Sequence, residues 1–394
     1  ACRLSTFRPF QCLRGKALSF QFRFDSASLL SAMAQGRIAL VGPNEGYSEG
    51  DSSTTLTPGE WPNMALDPDT FGLTICSLVR DSYFLARRRG KCANRYWRLA
   101  TTMYLLVACI SIQVFLLSQV KRFVSAQAVH DIRNAYDVYE HKMYGGQTWN
   151  MSEHPTLERR GTGGKTGPYF NVSKFQELTH DEQSAACRIP LSQPWFFFIV
   201  LYIWSLTCIA EIRKCKELFT GLMTGIPSVA SMADALTLIE EDGVDADSSP
   251  MVISGLPGIM KVILFVFVIL PRFCITSFLL WVGCRWLLAT TNFSDIILNA
   301  VALEFILSLK DLLYLAVVPR RNVLAVENLF VHIEPERESM WAFLSIICWT
   351  VLPAIWVLAY MGFPGHNGLQ QVLRDYQWDV HDVCVDWILA RFAV

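Results

Sequence analysis

Long apolar runs, separated by polar segments, dominate the chain from about residue 99 onward. An α-helix of about 20 residues spans the roughly 30 Å hydrocarbon core of a bilayer at 1.5 Å per residue. Five runs reach or approach this length, and they cover residues 99–120, 195–210, 259–284, 293–318 and 341–361. The pattern therefore predicts an all-α, multi-pass helical membrane protein with about five transmembrane helices.

The polar segments between these runs complete the predicted domain organisation. Residues 1–95 are expected to form a disordered cytosolic region, because residues 43–71 are rich in Gly, Pro, Ser, Thr and acids. Within it, residues 1–32 are either upstream sequence or a transit-like segment, since residues 1–24 are basic and carry no Asp or Glu. The remaining segments are an outer loop domain at 121–194, an acidic cytosolic loop at 211–258, a cytosolic loop at 319–340 and an outer C-terminal segment at 362–394.

The distribution of basic residues predicts the orientation. Six Arg and Lys residues lie between positions 87 and 98, whereas only Lys121 and Arg122 follow the first run. The positive-inside rule then predicts that the N-terminus lies in the cytosol. The expected location is the plasma membrane or an endomembrane. The outer loop carries candidate glycosylation sites at Asn150 and Asn171. Apolar residues at helical spacing over 129–143 predict an amphipathic helix that packs against its own protein.

Composition limits the partners and the chemistry. Of the 394 residues, 52% are hydrophobic and 18% are charged, with a net charge of −1. This composition favours the lipid bilayer as partner and gives no reason to expect nucleic acid, which requires concentrated Lys and Arg. No catalytic motif, metal-ligand spacing or cofactor motif is present, so we expect no catalytic residue, no metal and no cofactor. The sequence names no protein partner and no oligomeric state.

Two cysteines stand apart from the others in the predicted topology. Of the 12 Cys residues, only Cys187 and Cys384 fall in segments on the outer, oxidising side. The predicted topology therefore makes them a candidate disulfide. The alternatives are that both thiols are free or that Cys384 is cytosolic.

Charged residues inside the third and fourth runs need partners. A charge at the centre of a bilayer costs about 2.5–3.5 kcal/mol on insertion scales. An antiparallel hairpin with its turn near Ala289 brings Arg272 close to Glu304 and Arg285 close to Asp295. We therefore predict an intramembrane ion pair between Arg272 and Glu304 and a second ion pair between Arg285 and Asp295.

One face of the fourth run admits two interpretations. Glu304, Ser308 and Asp311 recur at i, i+4 and i+7, which places them on one side of a helix. The face either holds helices together or lines a path for ions or protons.

Five segments of the chain invite comparison with known families: LPR at 270–272, LWVGCRW at 280–286, LNAVALEFIL at 298–307, MYGG at 143–146 and IPLSQP at 189–194. Together they resemble a large group of uncharacterised polytopic membrane proteins from dinoflagellate algae. The similarity extends from about the first apolar run to the C-terminus, and residues 1–32 lie outside it. The resemblance implies a multi-pass membrane protein and supplies no activity, cofactor or catalytic residue.

The sequence leaves three classes of function open, and a membrane enzyme is the one that it favours least. We expect an integral membrane protein that is not an enzyme and is receptor-like, adaptor or structural, because its charges can neutralise one another. The alternative is an ion channel or transporter that uses the charged face of the fourth run.

Overall fold

The computed structural model describes the chain over several ranges, all within the compact unit Thr57–Val394. The described residues are 63–87, 92–143, 172–238, 251–332, 340–363, 366–370, 372–373, 376 and 378–392. Long helices account for most of them, which confirms the all-α class predicted from the apolar runs.

Eleven α-helices occur in the described residues, and six of them contain the five predicted apolar runs. The eleven helices are α1 Thr70–Ala86, α2 Cys92–Gln119, α3 Ala126–Met143, α4 His180–Cys187, α5 Pro194–Phe219, α6 Gly258–Leu264, α7 Leu270–Ala289, α8 Phe293–Val317, α9 Arg320–Glu327, α10 Met340–Met361 and α11 Asp379–Phe392. The third run includes parts of both α6 and α7. Short π-helical segments at Val120–Ser125, Thr220–Gly225 and Phe265–Ile269 extend α2 into α3, prolong α5, and join α6 to α7.

Four of the resulting continuous helices are long and apolar enough to cross a membrane by length and composition. They are Ala93–Met143, Pro194–Gly225, Gly258–Ala289 and Phe343–Met361. Helix α8 has 25 residues but carries two Asp, one Glu and one Lys, so its composition is less apolar. It corresponds to the fourth predicted run, and two of its charged residues, Lys310 and Asp311, belong to the site described below.

Two hydrophobic cores show that the long helices alternate in direction. One core contains residues from the end of α2, the start of α5, the end of α7 and the start of α8. The other contains residues from the end of α5, from α6 and from the end of α8. Consecutive long helices therefore run antiparallel, with one core at each end of the bundle.

A small sheet belongs to the second core. Its strands are β1 Asn63–Ala65, β2 Leu236–Leu238, β3 Met251–Ile253 and β4 Leu329–His332, in the order β1-β4-β3-β2. β4 pairs antiparallel with β1 and parallel with β3, and β3 pairs antiparallel with β2. A two-stranded hairpin of β5 Gly362–Phe363 and β6 His366–Asn367 follows α10. The sheet joins the segment before the first long helix to the segments after α5 and α9.

The prediction of a disordered N-terminal region is wrong for residues 63–87. They form β1, a turn and α1, and nearly every side chain of α1 is buried. The helix begins at a clear N-cap, because the Asp69 carboxylate accepts a hydrogen bond of 2.7 Å from the Gly72 N–H. Its burial on all faces follows from contacts with α2, α8 and α9.

The polar segments predicted as loops also contain regular structure. Residues 211–258 include β2, β3 and the last turns of α5. The acidic stretch 240–247 lies outside the described residues. Residues 319–340 contain α9 and β4, and residues 362–394 contain α11. Apolar residues of these segments belong to one or the other of the two cores. The length of apolar runs alone does not indicate this burial.

The first core includes the predicted outer loop domain. The apolar face of α3 is buried in this core, as its helical spacing predicts. Cys187 at the end of α4 and Cys384 in α11 form a disulfide, with Cα atoms 5.3 Å apart. The predicted pairing is confirmed, and it fastens α11 to the elements that precede α5.

Candidate functional site

A ring of opposite charges lies where α5, α7 and α8 meet the first turn of α1. Its members are Arg272 on α7, Lys310 on α8, Glu211 on α5 and Asp69 at the N-cap of α1. The Arg272 Nη2 atom is 3.0 Å from a Glu211 carboxylate oxygen and 3.4 Å from Asp69 Oδ2. The Lys310 Nζ atom is 3.1 Å from Asp69 Oδ2 and 3.2 Å from Glu211 Oε2. Each carboxylate therefore contacts both cations, and we call this arrangement the charge ring.

Two further carboxylates lie at the edge of the charge ring. Asp67 accepts a hydrogen bond of 3.0 Å from Arg272 Nη2, and Asp311 lies 3.4 Å from Lys310 Nζ. Their side chains are 40% and 46% exposed, whereas Arg272 and Lys310 are 3% and 6% exposed. The four ring charges neutralise one another, and the two edge carboxylates add negative charge toward the surface.

The turn before α1 places the acidic residues. Asp69 caps α1 with its side chain, and the Thr70 hydroxyl donates a 2.7 Å hydrogen bond to the Lys310 carbonyl. Gly72 permits this arrangement, because a Cβ at this position would overlap the Asp67 carbonyl oxygen. The Phe71 ring covers the Arg272 guanidinium, with the Cζ atom 5.6 Å from the ring centroid. Local capping and packing therefore fix the ring in one geometry.

Burial makes the ring sensitive to the loss of any member. Removing one partner of a buried ion pair typically costs about 3–5 kcal/mol, because the other charge is left without compensation. In the charge ring every charge contacts opposite charges, so none of them is left without compensation. Such an arrangement is typical of interactions that hold segments together.

The predicted Arg272–Glu304 ion pair is wrong. Helix α7 ends at Ala289 and α8 begins at Phe293, so the turn is centred near residue 291 instead of 289. This shift moves the position opposite Arg272 from 306 to 310, and Lys310 indeed shares both carboxylates with Arg272. Acids from other segments neutralise both cations.

The predicted Arg285–Asp295 pair is also wrong. The Arg285 guanidinium lies over the Trp281 ring, with the Cζ atom 5.9 Å from the centroid. The Asp295 carboxylate accepts a hydrogen bond of 3.2 Å from the Asn292 side chain. Both groups thus find partners on their own helix or next to it.

The predicted charged face of α8 divides into two parts. Asp311 contacts Lys310 at the edge of the ring, whereas the Ser308 hydroxyl donates to the Glu304 carbonyl at 3.0 Å. Among the described residues no cation lies within ion-pair distance of the Glu304 carboxylate. The candidate glycosylation sites Asn150 and Asn171 lie outside the described residues.

Sequence reasoning missed the acids Asp67, Asp69 and Glu211 and the cation Lys310 as site residues. The run Asp67-Pro68-Asp69-Thr70, followed by apolar residues, is an N-cap signal that predicts a helix at Thr70. Such a signal places the acids at a folded helix start. No signal in the sequence connects them to Arg272, which is 205 residues away from Asp67.

A cavity of about 130 Å³ lies beside the charge ring. Its polar lining consists of Arg272, Asp67, Lys214 and Glu217, and its remaining lining includes Met64, Ala65, Leu66, Gly72, Ile75 and Leu218. The cavity is therefore bordered by the turn before α1 and by the last turns of α5.

A second polar group lies on α1 and α2. The Arg98 guanidinium donates two hydrogen bonds to the Asp81 carboxylate, and the Arg95 guanidinium lies 3.8 Å from it. Nearby, burial raises the pKa of the Cys76 thiol to about 12, and its sulfur lies 3.2 Å from the Ala325 carbonyl oxygen. A thiol that stays protonated at neutral pH is a poor nucleophile, so this group fits a structural role.

The described part of the chain contains no group of three or more His, Cys, Asp or Glu side chains placed to hold a metal ion. No protein-family model, curated protein or solved structure matches the chain. Nothing in these comparisons links the chain to dinoflagellate proteins.

Proposed function

We propose that the chain is a non-catalytic, multi-pass membrane protein of receptor-like, adaptor or structural type. The observation that carries this proposal is the charge ring, in which each of four buried charges contacts two opposite charges. Such a ring joins the turn before α1 to α5, α7 and α8. It supports a role in which the membrane helices are a fixed connection between the sheet at one end and the disulfide-linked elements at the other.

The ring gives little support to a conduction pathway through these residues. A site that passes ions needs charges that can exchange protein partners for the ion. Arg272 and Lys310 are buried, and their partners come from three separate segments. To exchange its protein partners for an ion, Arg272 or Lys310 would have to lose several carboxylates together. That step would leave a buried cation without compensation.

A channel or transporter is the second candidate, and Glu304 favours it. This residue lies within an otherwise apolar stretch of α8 and has no ion-pair partner among the described residues. Carboxylates at bilayer depth often mark ion or proton pathways.

Flux measurements on the full chain in liposomes distinguish these two candidates. We expect proton and monovalent-cation flux equal to that of liposomes without protein, for both the wild type and Glu304→Gln. A wild-type flux that Glu304→Gln abolishes would overturn the proposed function and support transport. Asn299→Ala is the matched control, because its side chain only bonds the Thr290 hydroxyl on the same hairpin.

A further inference from the structure

Arg272, which lines the cavity beside the charge ring, has a buried donor that no described residue uses. Arg272 donates its hydrogen bonds from Nη2, whereas its buried Nε atom has no acceptor among the described residues. A guanidinium has five N–H donors, and one that is 3% exposed cannot satisfy them with bulk water. Because Arg272 lines the cavity, an acceptor oxygen bound there is a candidate partner for this donor.

Lys214 adds a second positive group to the same wall. Its Nζ atom pairs with Glu211 at 2.8 Å, and its side chain is 48% exposed, so further donor capacity remains. An ammonium group has three donors. Arg272 and Lys214 together therefore suit an oxyanion, which accepts several charge-assisted hydrogen bonds.

Carboxylates line the same cavity. Asp67 contacts Arg272 through one oxygen, and Glu217 contacts Arg213 at 2.7 Å, with exposed fractions of 40% and 47%. A carboxylate has about four acceptor positions, so both retain free ones. A ligand that brings only negative charge would meet repulsion from these acids, whereas an ammonium group on the ligand would bind to them.

The cavity has a suitable size and place. A water needs about 10–15 Å³ of such space, so about 130 Å³ holds a ligand of several heavy atoms. Lys214, Glu217 and Leu218 lie in the last turns of α5, beyond its apolar part. This position corresponds to the polar boundary of a bilayer, where lipid headgroups and soluble molecules are both present.

We propose that this cavity binds a small zwitterion in which an oxyanion contacts Arg272 and Lys214 and a primary ammonium contacts Asp67 and Glu217. Phosphoethanolamine has this chemistry, either as a lipid headgroup or as a free molecule. The inference does not depend on the proposed function, since binding is measured without flux.

Native mass spectrometry of the full chain in lipid nanodiscs tests the proposal. Phosphatidylethanolamine is compared with two other lipids. Phosphatidylcholine has a quaternary ammonium without N–H donors, and phosphatidylglycerol has no ammonium group. Free phosphoethanolamine is titrated separately by calorimetry. We expect phosphatidylethanolamine or free phosphoethanolamine to bind at least about tenfold more tightly than the other two lipids, and the arm that binds identifies the source.

Variants localise the binding. Lys214→Gln is expected to weaken binding about tenfold, because one charge-assisted contact is lost. The fold should tolerate this change, since Glu211 keeps both Arg272 and Lys310. Lys216→Gln is the matched control on the same helix, because Lys216 lies over the Trp349 ring and does not line the cavity.

Glu217→Gln tests the ammonium contact separately. It should reduce the preference for phosphatidylethanolamine over phosphatidylglycerol and leave phosphatidylglycerol binding unchanged or stronger. Equal binding of the three lipids without binding of free phosphoethanolamine would overturn the proposal, and so would equal effects of Lys214→Gln and Lys216→Gln. The cavity would then hold water only.

Discussion

Asp69 serves three partners from a single carboxylate. It accepts a hydrogen bond from the Gly72 N–H, and it contacts Arg272 and Lys310 at 3.4 and 3.1 Å. The cap therefore begins a helix and, together with Glu211, balances the charges of Arg272 and Lys310. Helix formation at α1 and charge compensation in α7 and α8 are thus coupled through one residue.

Lys310→Met should strongly destabilise the protein. The substitution keeps the apolar stem and removes the charge, so Asp69 keeps Arg272 as its remaining cation and Glu211 keeps Arg272 and Lys214. We expect a loss of about 3–5 kcal/mol in the free energy of unfolding, measured in detergent by thermal or denaturant unfolding. Lys216→Met removes an exposed lysine from α5 and should cost less than about 1 kcal/mol. Equal effects of the two variants would show that the ring does not contribute to stability.

Gly72→Ala should also destabilise the protein, for a steric reason. The added Cβ overlaps the Asp67 carbonyl oxygen, and the backbone must move to relieve the overlap. Overpacking of this kind costs about 1–3 kcal/mol, and here it displaces the turn that carries Asp67 and Asp69. Gly258→Ala is the control, because a Cβ there meets nothing within 4 Å. The comparison requires melting temperatures of both variants, and a Gly72→Ala protein as stable as Gly258→Ala would contradict the close packing.

For individual residues, the sequence indicates which charges need a partner but does not identify that partner. Arg272 is recognisable as a costly charge in an apolar run, and its pairing with an acid follows from general physics. Its partner was misassigned because a shift of two residues in the centre of one turn moves the opposite position by four. Contacts from Asp67 and Glu211 arise from tertiary packing, which one hairpin does not describe.

Among the elements, α4 has the clearest local signature. The Thr179 side chain and the Glu182 side chain form a capping box at its start, and Glu182 also pairs with Lys142 of α3 at 2.7 Å. The short helix that ends in Cys187 is thus fixed at both ends, by the capping box and by the disulfide.

Acid should weaken the attachment of α4 to α3. The hydrogen bond from Lys142, followed by those from Thr179, lowers the pKa of Glu182 from 4.5 to about 2. A depressed pKa means that this contribution to stability is present above about pH 4.5 and is lost as pH falls toward about 2. Glu182→Gln should therefore show a smaller fall in melting temperature between these pH values than the wild type. The exposed Glu177→Gln is the control, and an identical pH dependence of all three proteins would contradict the assignment.

The elements themselves were predictable to different degrees. Apolar runs of membrane length identify α2, α5, α7, α8 and α10, because lipid forces a simple relation between length and composition. Helix α1 escaped detection because it has only 17 residues and lies beside a polar segment. The strands of three or four residues carry almost no periodic signal, and their pairing joins segments far apart in the sequence.

In the whole molecule, the disulfide and the sheet lie in different cores at the two ends of the helical bundle. Cys187 and Cys384 are separated by 197 residues, so their bond closes a loop that contains α5, α7, α8 and α10. The bond therefore constrains the path of most of the long helices.

Cys384→Ser should lower the free energy of unfolding by about 2–4 kcal/mol, the usual range for loss of a disulfide. Cys348→Ser, at an exposed free cysteine of α10, is the matched control and should have little effect. Because Cys187 and Cys384 are buried, a reductant should not open the bond in the folded protein and should open it after denaturation. Mass spectrometry after alkylation measures both states, and free thiols at these positions in the folded protein without reductant would contradict the bond.

The order of residues in the charge ring has a consequence for synthesis. The ribosome makes Asp67 and Asp69 first, then Glu211, then Arg272 and finally Lys310. Each cation therefore emerges when carboxylates that can neutralise it already exist in the nascent chain. Because an uncompensated Arg or Lys opposes insertion of an apolar helix, this order means that acids able to compensate Arg272 and Lys310 exist before α7 and α8 are made. Lys310 completes the ring last, after Asp69, Glu211 and Arg272 have been made.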